Sequence, residues 1–264
     1  MLVFIIPIKS KKTAKSWQEC SKLFDRCLRS VCNQTSQNFK VIVVCNEKPI
    51  TTFKHPNVEY LIVDFPPPGS DYGAKGDDRA KRVYVALFTI KDLKPSHVMS
   101  VDSDDCISKY IAEFVNQNPD KNGWYVEQGY EYDEGSSQIA VRQKGIYRIC
   151  GTCNIINYRL FKVPDQILPY DQLVGFDRFL NGHPLAKGDL EKRGNPLEPL
   201  PFPGTIYVRD QVGESISMQE PVIVKFQRNP KEVFRGFKKL FMAPFVNKRL
   251  TKEIQEEFGL YPLN

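Results

Sequence analysis

The amino-acid sequence predicts an α/β fold in which a mainly parallel sheet carries helices on both faces. Short apolar runs typical of buried strands alternate with amphipathic helical patterns over roughly the first hundred residues, and polar or acidic side chains follow the ends of these runs. With 264 residues, of which 41% are hydrophobic, the chain is long enough to bury a sizeable core as one large domain or two small ones.

The predicted elements of the first half follow one another as alternating strands and helices. The strands are 2–8, 40–46, 58–65 and 96–102, and the helices are 16–34 and 77–93. Parallel strands need crossover connections, and open sheets of this kind bind ligands beyond the carboxyl ends of their strands. We therefore expect a ligand site where these strands end.

The second half has a different pattern. A helix is expected near residues 108–119, followed by shorter strands within 123–132, 138–149 and 151–161, and the proline-rich stretch 194–210 is expected to be loop. The Cys150 to Cys153 spacing lacks the second pair of ligands that zinc needs, and the residues after it read as strand rather than as a redox helix.

The composition of the chain indicates which cellular location and which classes of partner to expect. No apolar segment approaches the roughly 20 residues of a membrane helix, and the first residues lack the features of a signal peptide, so we expect a cytoplasmic location. The seven cysteines show no regular framework, which favours reduced thiols. A net charge of +6 suits a phosphate-bearing ligand or an anionic membrane surface. Nucleic acid is not expected as a partner, because no nucleic-acid module is recognisable.

An acidic cluster ends the predicted fourth strand, where Asp102, Asp104 and Asp105 lie within four residues. Two carboxylates about 4 Å apart repel by roughly 4 kcal/mol at an effective dielectric constant of about 20, so the cluster needs a cation, hydrogen-bond donors or open water. An extended strand would place Asp102 and Asp104 on one side, facing one divalent cation and a nucleotide ribose, with Ser103 between them. The alternative is an acidic turn that caps the next helix through Asp105 or Ser108.

In this order, the stretches 4–10, 28–44 and 97–105 resemble the first strand, first helix, second strand and DxD strand of family 2 glycosyltransferases with a GT-A fold. The resemblance covers roughly residues 1–110. It implies a catalytic domain at 1–227, with a nucleotide-sugar-binding half at 1–110 and an acceptor-side half at 111–227. The implied activity is metal-dependent transfer of a hexose, from a UDP-sugar by preference, to a glycan or lipid-linked acceptor with inversion.

The resemblance also implies a donor site. Asp102 would contact the ribose or base and, together with Asp104, hold Mn²⁺ or Mg²⁺. The expected nucleotide-sugar-binding residues are Pro7, Ile8, Asn46, Glu47, Lys75, Asp78, Lys81, Asp102 and Ser103. The family usually ends its second strand with an Asp pair, where this chain has Cys45 and Asn46, so Asn46 and Glu47 can equally be turn residues. Asp78 and Lys81 can equally be a charged helix start and a solvated face.

The general base implied by the resemblance is Asp177, which follows Phe176 where the family often has Glu. The alternatives for Asp177 are a helix cap or a surface pair with Arg178, and Asp171 and Asp165 are the next candidates for the base. No histidine is assigned to the metal. The family often has a late His ligand where this chain offers Arg209 and Asp210, and His183 is expected to be structural or at the surface.

The segment 228–264 is predicted to be a basic amphipathic helical segment. Its apolar stripe is Val233, Phe234, Phe237, Leu240 and Phe241, and its basic residues are Arg235, Lys238, Lys239, Lys248 and Arg249. This stripe can lie on the inner face of a membrane as a peripheral anchor, or pack on the catalytic domain. Packing is favoured because Pro244 interrupts the helix.

Two rival functions come from other classes. A non-catalytic sugar- or nucleotide-binding relative of glycosyltransferases is favoured by Cys45 and by Phe176. A nucleotidyltransferase would instead consume a nucleoside triphosphate and release pyrophosphate.

Overall fold

A computed structural model describes residues 1–163, 165–173, 177–209 and 247–263 of the chain. The strands are β1 (Leu2–Pro7), β2 (Phe39–Cys45), β3 (Val58–Ile62), β4 (His97–Ser100), β5 (Cys106–Ile107), β6 (Gly123–Tyr125), β7 (Gly129–Asp133), β8 (Gln138–Arg142), β9 (Asn154–Asn157), β10 (Glu198–Pro199), β11 (Thr205–Arg209) and β12 (Asn247–Arg249). The α-helices are α1 (Trp17–Cys32), α2 (Tyr72–Thr89), α3 (Ile111–Asn116), α4 (Arg178–Asn181), α5 (Leu185–Lys192) and α6 (Lys252–Phe258).

The larger sheet has the strand order β10-β6-β9-β4-β1-β2-β3 among the described residues. The central strand β1 pairs in parallel with β2 on one side and β4 on the other. Only β9 runs against the other strands of this sheet, since it pairs antiparallel with both β4 and β6. The mainly parallel α/β sheet predicted from the sequence is therefore confirmed.

Helices cover both faces of this sheet, as predicted. Alternation along β1 sends Leu2, Phe4 and Ile6 into one apolar cluster, which α1 completes with side chains such as Phe24 and Leu28. The intervening Val3 and Ile5 enter a second cluster on the opposite face, which α2 completes with Val83 and Leu87. Because β1 is buried on both faces, it reads as a continuous apolar run rather than an alternating one.

A smaller sheet has the order β12-β8-β7-β11-β5 in the described part of the chain. Its apolar cluster joins Cys106 of β5 and Ile206 of β11 to Phe258 and Leu260 at the end of α6. The Ser30 hydroxyl of α1 donates to the Phe258 carbonyl at 2.6 Å, which also fixes the end of α6 to α1.

The predicted C-terminal segment divides into two parts. Its basic stripe at 231–241 falls within 210–246, outside the described residues, so the stripe and its membrane association stay predictions. Residues 247–263 form β12 and α6, which pair with β8 and pack into the smaller cluster. This last part of the segment therefore belongs to the packed body of the chain and is no appended helix.

Some element boundaries differ from those predicted. Helix α2 begins at Tyr72 rather than at residue 77, because the Asp71 carboxylate caps it by accepting from the Ala74 amide at 2.9 Å. The stretch 123–132, expected as one strand, forms β6 and β7, which lie in different sheets. A local pattern of apolar residues does not show where a chain leaves one sheet for another.

All seven cysteines lie in the described ranges, and each of them is buried and free of disulfide bonds.

No helix within the described ranges is both long and apolar enough to cross a membrane.

Stability should depend on pH through His97, which is fully buried in β4 with its ring bonded to the Lys121 carbonyl at 3.0 Å. Burial lowers the pKa of His97 from 6.5 to about 4. Between these values the unfolded chain takes up a proton that the folded protein excludes. We expect the free energy of unfolding to fall by on the order of 3 kcal/mol from this group as the pH drops from 6.5 to 4.

Urea unfolding of the protein and of His97→Gln at pH 7, 5.5 and 4 measures this effect. The variant should be less stable at pH 7 and should show a shallower loss of stability towards acid. His55→Gln, at a half-buried ring outside the core of the sheet, is the matched control and should keep the wild-type slope. An unchanged slope in His97→Gln would contradict the assignment.

Candidate functional site

The acidic cluster forms a turn and does not extend β4. The Asp105 amide donates to the Asp102 carbonyl at 3.1 Å, and β4 ends earlier, at Ser100. The expectation of an extended strand through Asp104 is therefore wrong. Asp102, Ser103 and Asp104 nevertheless all line one cleft.

This cleft has a volume of about 480 Å³ and lies beyond the ends of β1 and β4, beside the first turns of α2. The position agrees with the expectation for an open parallel sheet. Among the residues predicted from the sequence, those that line it are Pro7, Ile8, Lys75, Asp78, Asp102, Ser103 and Asp104. The other predicted residues, Asn46, Glu47, Lys81 and Asp177, are not among its lining residues.

The Asp102 carboxylate is bonded to Arg79 through one oxygen, and its other oxygen lies close to Gly151. Arg79 of α2 donates from Nε to Oδ1 at 2.7 Å and from Nη2 to the Ser100 hydroxyl at 3.1 Å. On the other side, a Cβ placed on Gly151 would lie only 2.1 Å from Oδ2, so this carboxylate needs a glycine beside it. The Asp102 amide also donates to the Thr152 hydroxyl at 2.9 Å. These contacts fix the direction of the carboxylate at the wall of the cleft.

Asp105 is buried and bonded to protein groups only. Its Oδ2 accepts from the Thr152 hydroxyl at 2.6 Å and from the Cys150 thiol at 3.2 Å, and its Oδ1 accepts from the Val208 amide at 3.1 Å. Burial, with the negative charges of Asp104 and Asp102, raises the pKa of Asp105 well above its ordinary value. This side chain therefore ties the acidic turn to the 150–153 loop and to β11, and it caps no helix.

Asp104 is half-buried, and its side chain is one of those that line the cleft. Within the described ranges, no group of three or more His, Cys, Asp or Glu side chains is arranged to hold a metal ion. Mg²⁺ and similar hard cations are often bound by one or two carboxylates together with substrate phosphates and water. The Asp104 carboxylate fits that kind of site. The Asp102 carboxylate is less suited to it, since one oxygen is paired with Arg79.

Asp78 and Asn46 belong to one network at the end of β2. Asp78 is buried and pairs with Arg82, whose Nε lies 2.8 Å from Oδ2. Arg82 Nη2 also donates to Asn46 Oδ1 at 2.8 Å, and Asn46 Nδ2 donates to the Phe65 carbonyl at 2.9 Å. Asp78 and Arg82 line the cleft, whereas Asn46 does not line it and is hydrogen-bonded to Arg82.

The side chains of Glu47 and Lys81 contact protein groups close to them. Glu47 accepts hydrogen bonds from the Ser10 hydroxyl and from the Lys11 amide at 3.0 Å, which fixes the loop after β1. The Lys81 ammonium lies 3.7 Å from the centroid of the Tyr170 ring, a cation–π contact. These contacts correspond to the structural alternatives considered for both residues, and their nucleotide-binding roles stay predictions.

Asp177, the predicted base, is engaged in a buried ion pair. Its Oδ1 accepts from Arg193 Nη1 at 2.8 Å and its Oδ2 from the Lys162 amide at 2.9 Å, and only 1% of its side chain is exposed. Its side chain makes no capping hydrogen bond to α4. The geometry thus gives Asp177 a structural contact away from the cleft, and its role as a base stays a prediction that the geometry does not support.

The cleft residues that were not predicted from the sequence include Arg79, Gly151 and His183. Arg79 follows Lys75 by four positions on α2, so the helical spacing of basic residues could have indicated it. Gly151 and His183 reach the cleft from loops that are distant in sequence from Asp102, and no local pattern marks them. Arg209, noted at the place of a late metal ligand, instead pairs with Glu131 and Asp133, and Asp210 lies outside the described residues.

No protein-family model matches the chain, and no curated protein matches it. Among solved structures, residues 1–349 of Staphylococcus aureus TarS, a glycosyltransferase, are 16% identical, with a TM-score of 0.44 over 78% of this chain and 60% of that one. A longer TarS structure is 16% identical, with a TM-score of 0.41 over 79% of this chain and 36% of that one. The chain thus spans less than two thirds of either TarS structure.

A Francisella tularensis 2-C-methyl-D-erythritol 4-phosphate cytidylyltransferase is 14% identical, with a TM-score of 0.37 over 86% of this chain and 98% of that one. TarS and this enzyme both have a GT-A-like nucleotide-diphospho-sugar transferase fold. Likenesses of this strength carry no argument about activity, and the fold class of the chain rests on its own strand order.

The ion pair of Asp177 gives a testable expectation about stability. Asp177→Asn leaves the Arg193 guanidinium without its buried partner, so we expect the free energy of unfolding to fall by about 1–3 kcal/mol. Asp171→Asn, at an exposed carboxylate nearby in sequence, should change it by less than about 0.5 kcal/mol. Urea unfolding of both variants checks this. A base that faced open solvent would predict no loss of stability in Asp177→Asn.

Proposed function

We propose that the chain is a glycosyltransferase that binds a nucleoside-diphosphate sugar in the cleft and transfers its hexose, with a UDP-sugar as the favoured donor. The observation that carries the proposal is the arrangement of the acidic turn. Asp104 faces the cleft while Asp102 is fixed beside it by Arg79, at the carboxyl ends of two parallel strands. The assignment to family 2 and the inversion at the anomeric carbon are proposed from the sequence resemblance alone.

The size and charge of the cleft suit such a donor. A volume of about 480 Å³ lies within the range of roughly 300–1,000 Å³ common for small-ligand sites. Lys9 follows β1, and Lys75 and Arg79 lie on α2, so positive charge surrounds the acidic turn where a diphosphate would lie. Pro7 and Ile8 supply an apolar wall at the end of β1.

The proposed cofactor is Mn²⁺ or Mg²⁺, held by Asp104 together with the phosphates of the donor. When bound, such a cation neutralises the charge that grows on the departing nucleoside diphosphate. Asp102, with its orientation fixed by Arg79 and Gly151, is better placed to contact the ribose or base than to share the cation. The glycan or lipid-linked acceptor, the cytoplasmic location and the peripheral membrane contact are proposed from the sequence alone.

A donor screen tests this function. UDP-, GDP- and dTDP-sugars are incubated with the protein and Mn²⁺, with and without a chelator, and release of nucleoside diphosphate is measured. Release from one donor class that the chelator suppresses supports the proposal. Binding without any release favours the non-catalytic alternative, which the buried ion pair of Asp177 supports in addition to Cys45 and Phe176 in the sequence. Release of pyrophosphate from a nucleoside triphosphate identifies a nucleotidyltransferase instead.

Asp104→Asn should lose the Mn²⁺-dependent part of nucleoside diphosphate binding, because an amide is a much poorer ligand for a hard cation than a carboxylate. We expect affinity measured by calorimetry with Mn²⁺ to fall at least 10-fold. The melting temperature without metal should not fall, since one charge of a repelling cluster is removed. Asp120→Asn, at an exposed carboxylate outside the cleft, is the control. Unchanged Mn²⁺-dependent affinity in Asp104→Asn would remove Asp104 from the site.

Gly151→Ala tests the position of Asp102. The added methyl group would lie 2.1 Å from Asp102 Oδ2, so the carboxylate must turn away and weaken its bond to Arg79. We expect at least a 10-fold loss of nucleoside diphosphate affinity with little loss of stability, since a flexible side chain can move. Gly188→Ala in α5, where a Cβ meets nothing within 4 Å, should keep full affinity and be slightly more stable.

A further inference from the structure

The proposed transfer needs a group that accepts the proton of the acceptor hydroxyl, and the present inference rests on that proposed function. In the described part of the chain, the cleft residues with a carboxylate or imidazole are Asp78, Asp102, Asp104 and His183. Asp78 is paired with Arg82, and Asp102 is paired with Arg79. Asp104 is the proposed cation ligand. His183 is the remaining candidate for proton transfer.

His183 lies between α4 and α5 and is fixed at the backbone. Its carbonyl accepts from Asn154 Nδ2 at 2.9 Å, and the Gly182 carbonyl next to it accepts from the Leu185 amide at 2.8 Å. Asn154 begins β9, a strand of the larger sheet, so the sheet itself determines where the imidazole lies. A catalytic group needs this kind of support, because small displacements of a reacting group are costly.

The hydrogen bonds of the imidazole determine which nitrogen can accept a proton. The backbone carbonyl of Arg148 acts on the ring as an acceptor, which favours a hydrogen on the nitrogen that faces it. Nε2 is buried and has no hydrogen-bond partner among the described residues, so we assign this hydrogen to Nδ1. In a neutral imidazole with hydrogen on Nδ1, the lone pair is on Nε2.

The surroundings keep this imidazole neutral at physiological pH. Burial lowers the pKa of His183, and the charges that act on it are Asp102 of the acidic turn, which opposes the shift, and Arg79 of α2, which adds to it. A small cavity of about 30 Å³ next to the ring shares Arg79, Gly151 and Leu180 with the lining of the cleft. That volume can hold a water molecule, and a base can act through one water.

We propose that His183 is the general base of the transfer. Its Nε2 takes the proton of the acceptor hydroxyl through one water in the small cavity, while the hydroxyl oxygen bonds to the anomeric carbon of the donor. The bond from that carbon to the diphosphate oxygen breaks, and its electron pair leaves with the nucleoside diphosphate. The imidazolium then releases its proton to solvent. His183 thus takes the role that the sequence resemblance had given to Asp177.

His183→Gln tests the assignment on the full chain with the donor and acceptor from the screen. Glutamine keeps a polar side chain that cannot take up the proton, so turnover should fall by about 10²–10⁴-fold. Affinity for the nucleoside diphosphate with Mn²⁺ should stay within about 2-fold. His55→Gln, outside the cleft, should keep the wild-type turnover. Circular dichroism and thermal melting establish that both variants are folded.

The pH profile is a readout that a structural role of His183 would not change. Wild-type turnover should decrease at acid pH as Nε2 becomes protonated, at a pH below the ordinary pKa of an imidazole, and His183→Gln should lack this acid limb. Added imidazole should restore part of the turnover of His183→Gly. A ¹⁵N spectrum of the histidine side chains should show the hydrogen of His183 on Nδ1 at pH 7, which requires no activity.

Each other result overturns the assignment in a distinguishable way. Full turnover in His183→Gln places the base elsewhere. Loss of Mn²⁺-dependent nucleotide affinity in this variant makes His183 a cation ligand or donor contact instead. A hydrogen on Nε2 at pH 7 removes the lone pair that the inference requires. A wild-type protein that releases nucleoside diphosphate from no donor overturns the proposed function and the base together, whatever His183→Gln does.

Discussion

Mutual repulsion among Asp102, Asp104 and Asp105 is the constraint on which the rest of the site depends. The structure resolves it by giving each carboxylate different surroundings. Asp102 is paired with Arg79, whereas Asp105 is buried among hydroxyl, thiol and amide donors, where burial and its neighbours raise its pKa. Asp104 lines the cleft beside Asp102, so a cation bound there would gain the attraction of the whole acidic turn.

The conformation of the acidic turn depends on contacts from more than one part of the fold. The Thr152 hydroxyl bonds both the Asp102 amide and the Asp105 carboxylate, and the Val208 amide of β11 bonds Asp105 from the smaller sheet. The turn therefore lies at the junction of the two sheets, and its conformation is determined from both sides. Asp102 keeps this position only beside a glycine, because a Cβ on residue 151 would lie 2.1 Å from Asp102 Oδ2.

The sequence predicted what depends on local patterns. Buried strands, the face of α1 and the place of the acidic cluster follow from the periodicity and spacing of apolar and charged residues. The turn at Asp102 could not be predicted, because the donors that hold Asp105 come from residues 150–152 and 208. The same reason accounts for Asp177, whose partner Arg193 lies sixteen positions further along the chain, and for His183.

A neutral base suits this cleft on electrostatic grounds. An unpaired carboxylate base beside Asp102 and Asp104 would be repelled by both, so its pKa would rise and it would compete with Asp104 for the cation. An imidazole accepts a proton without first carrying negative charge, and burial, which makes a carboxylate harder to ionise, keeps an imidazole neutral. The charge that His183 acquires during transfer is positive, and Asp102 opposite it stabilises that charge. Histidine can therefore serve as the base at a place where the acidic turn makes another carboxylate unfavourable.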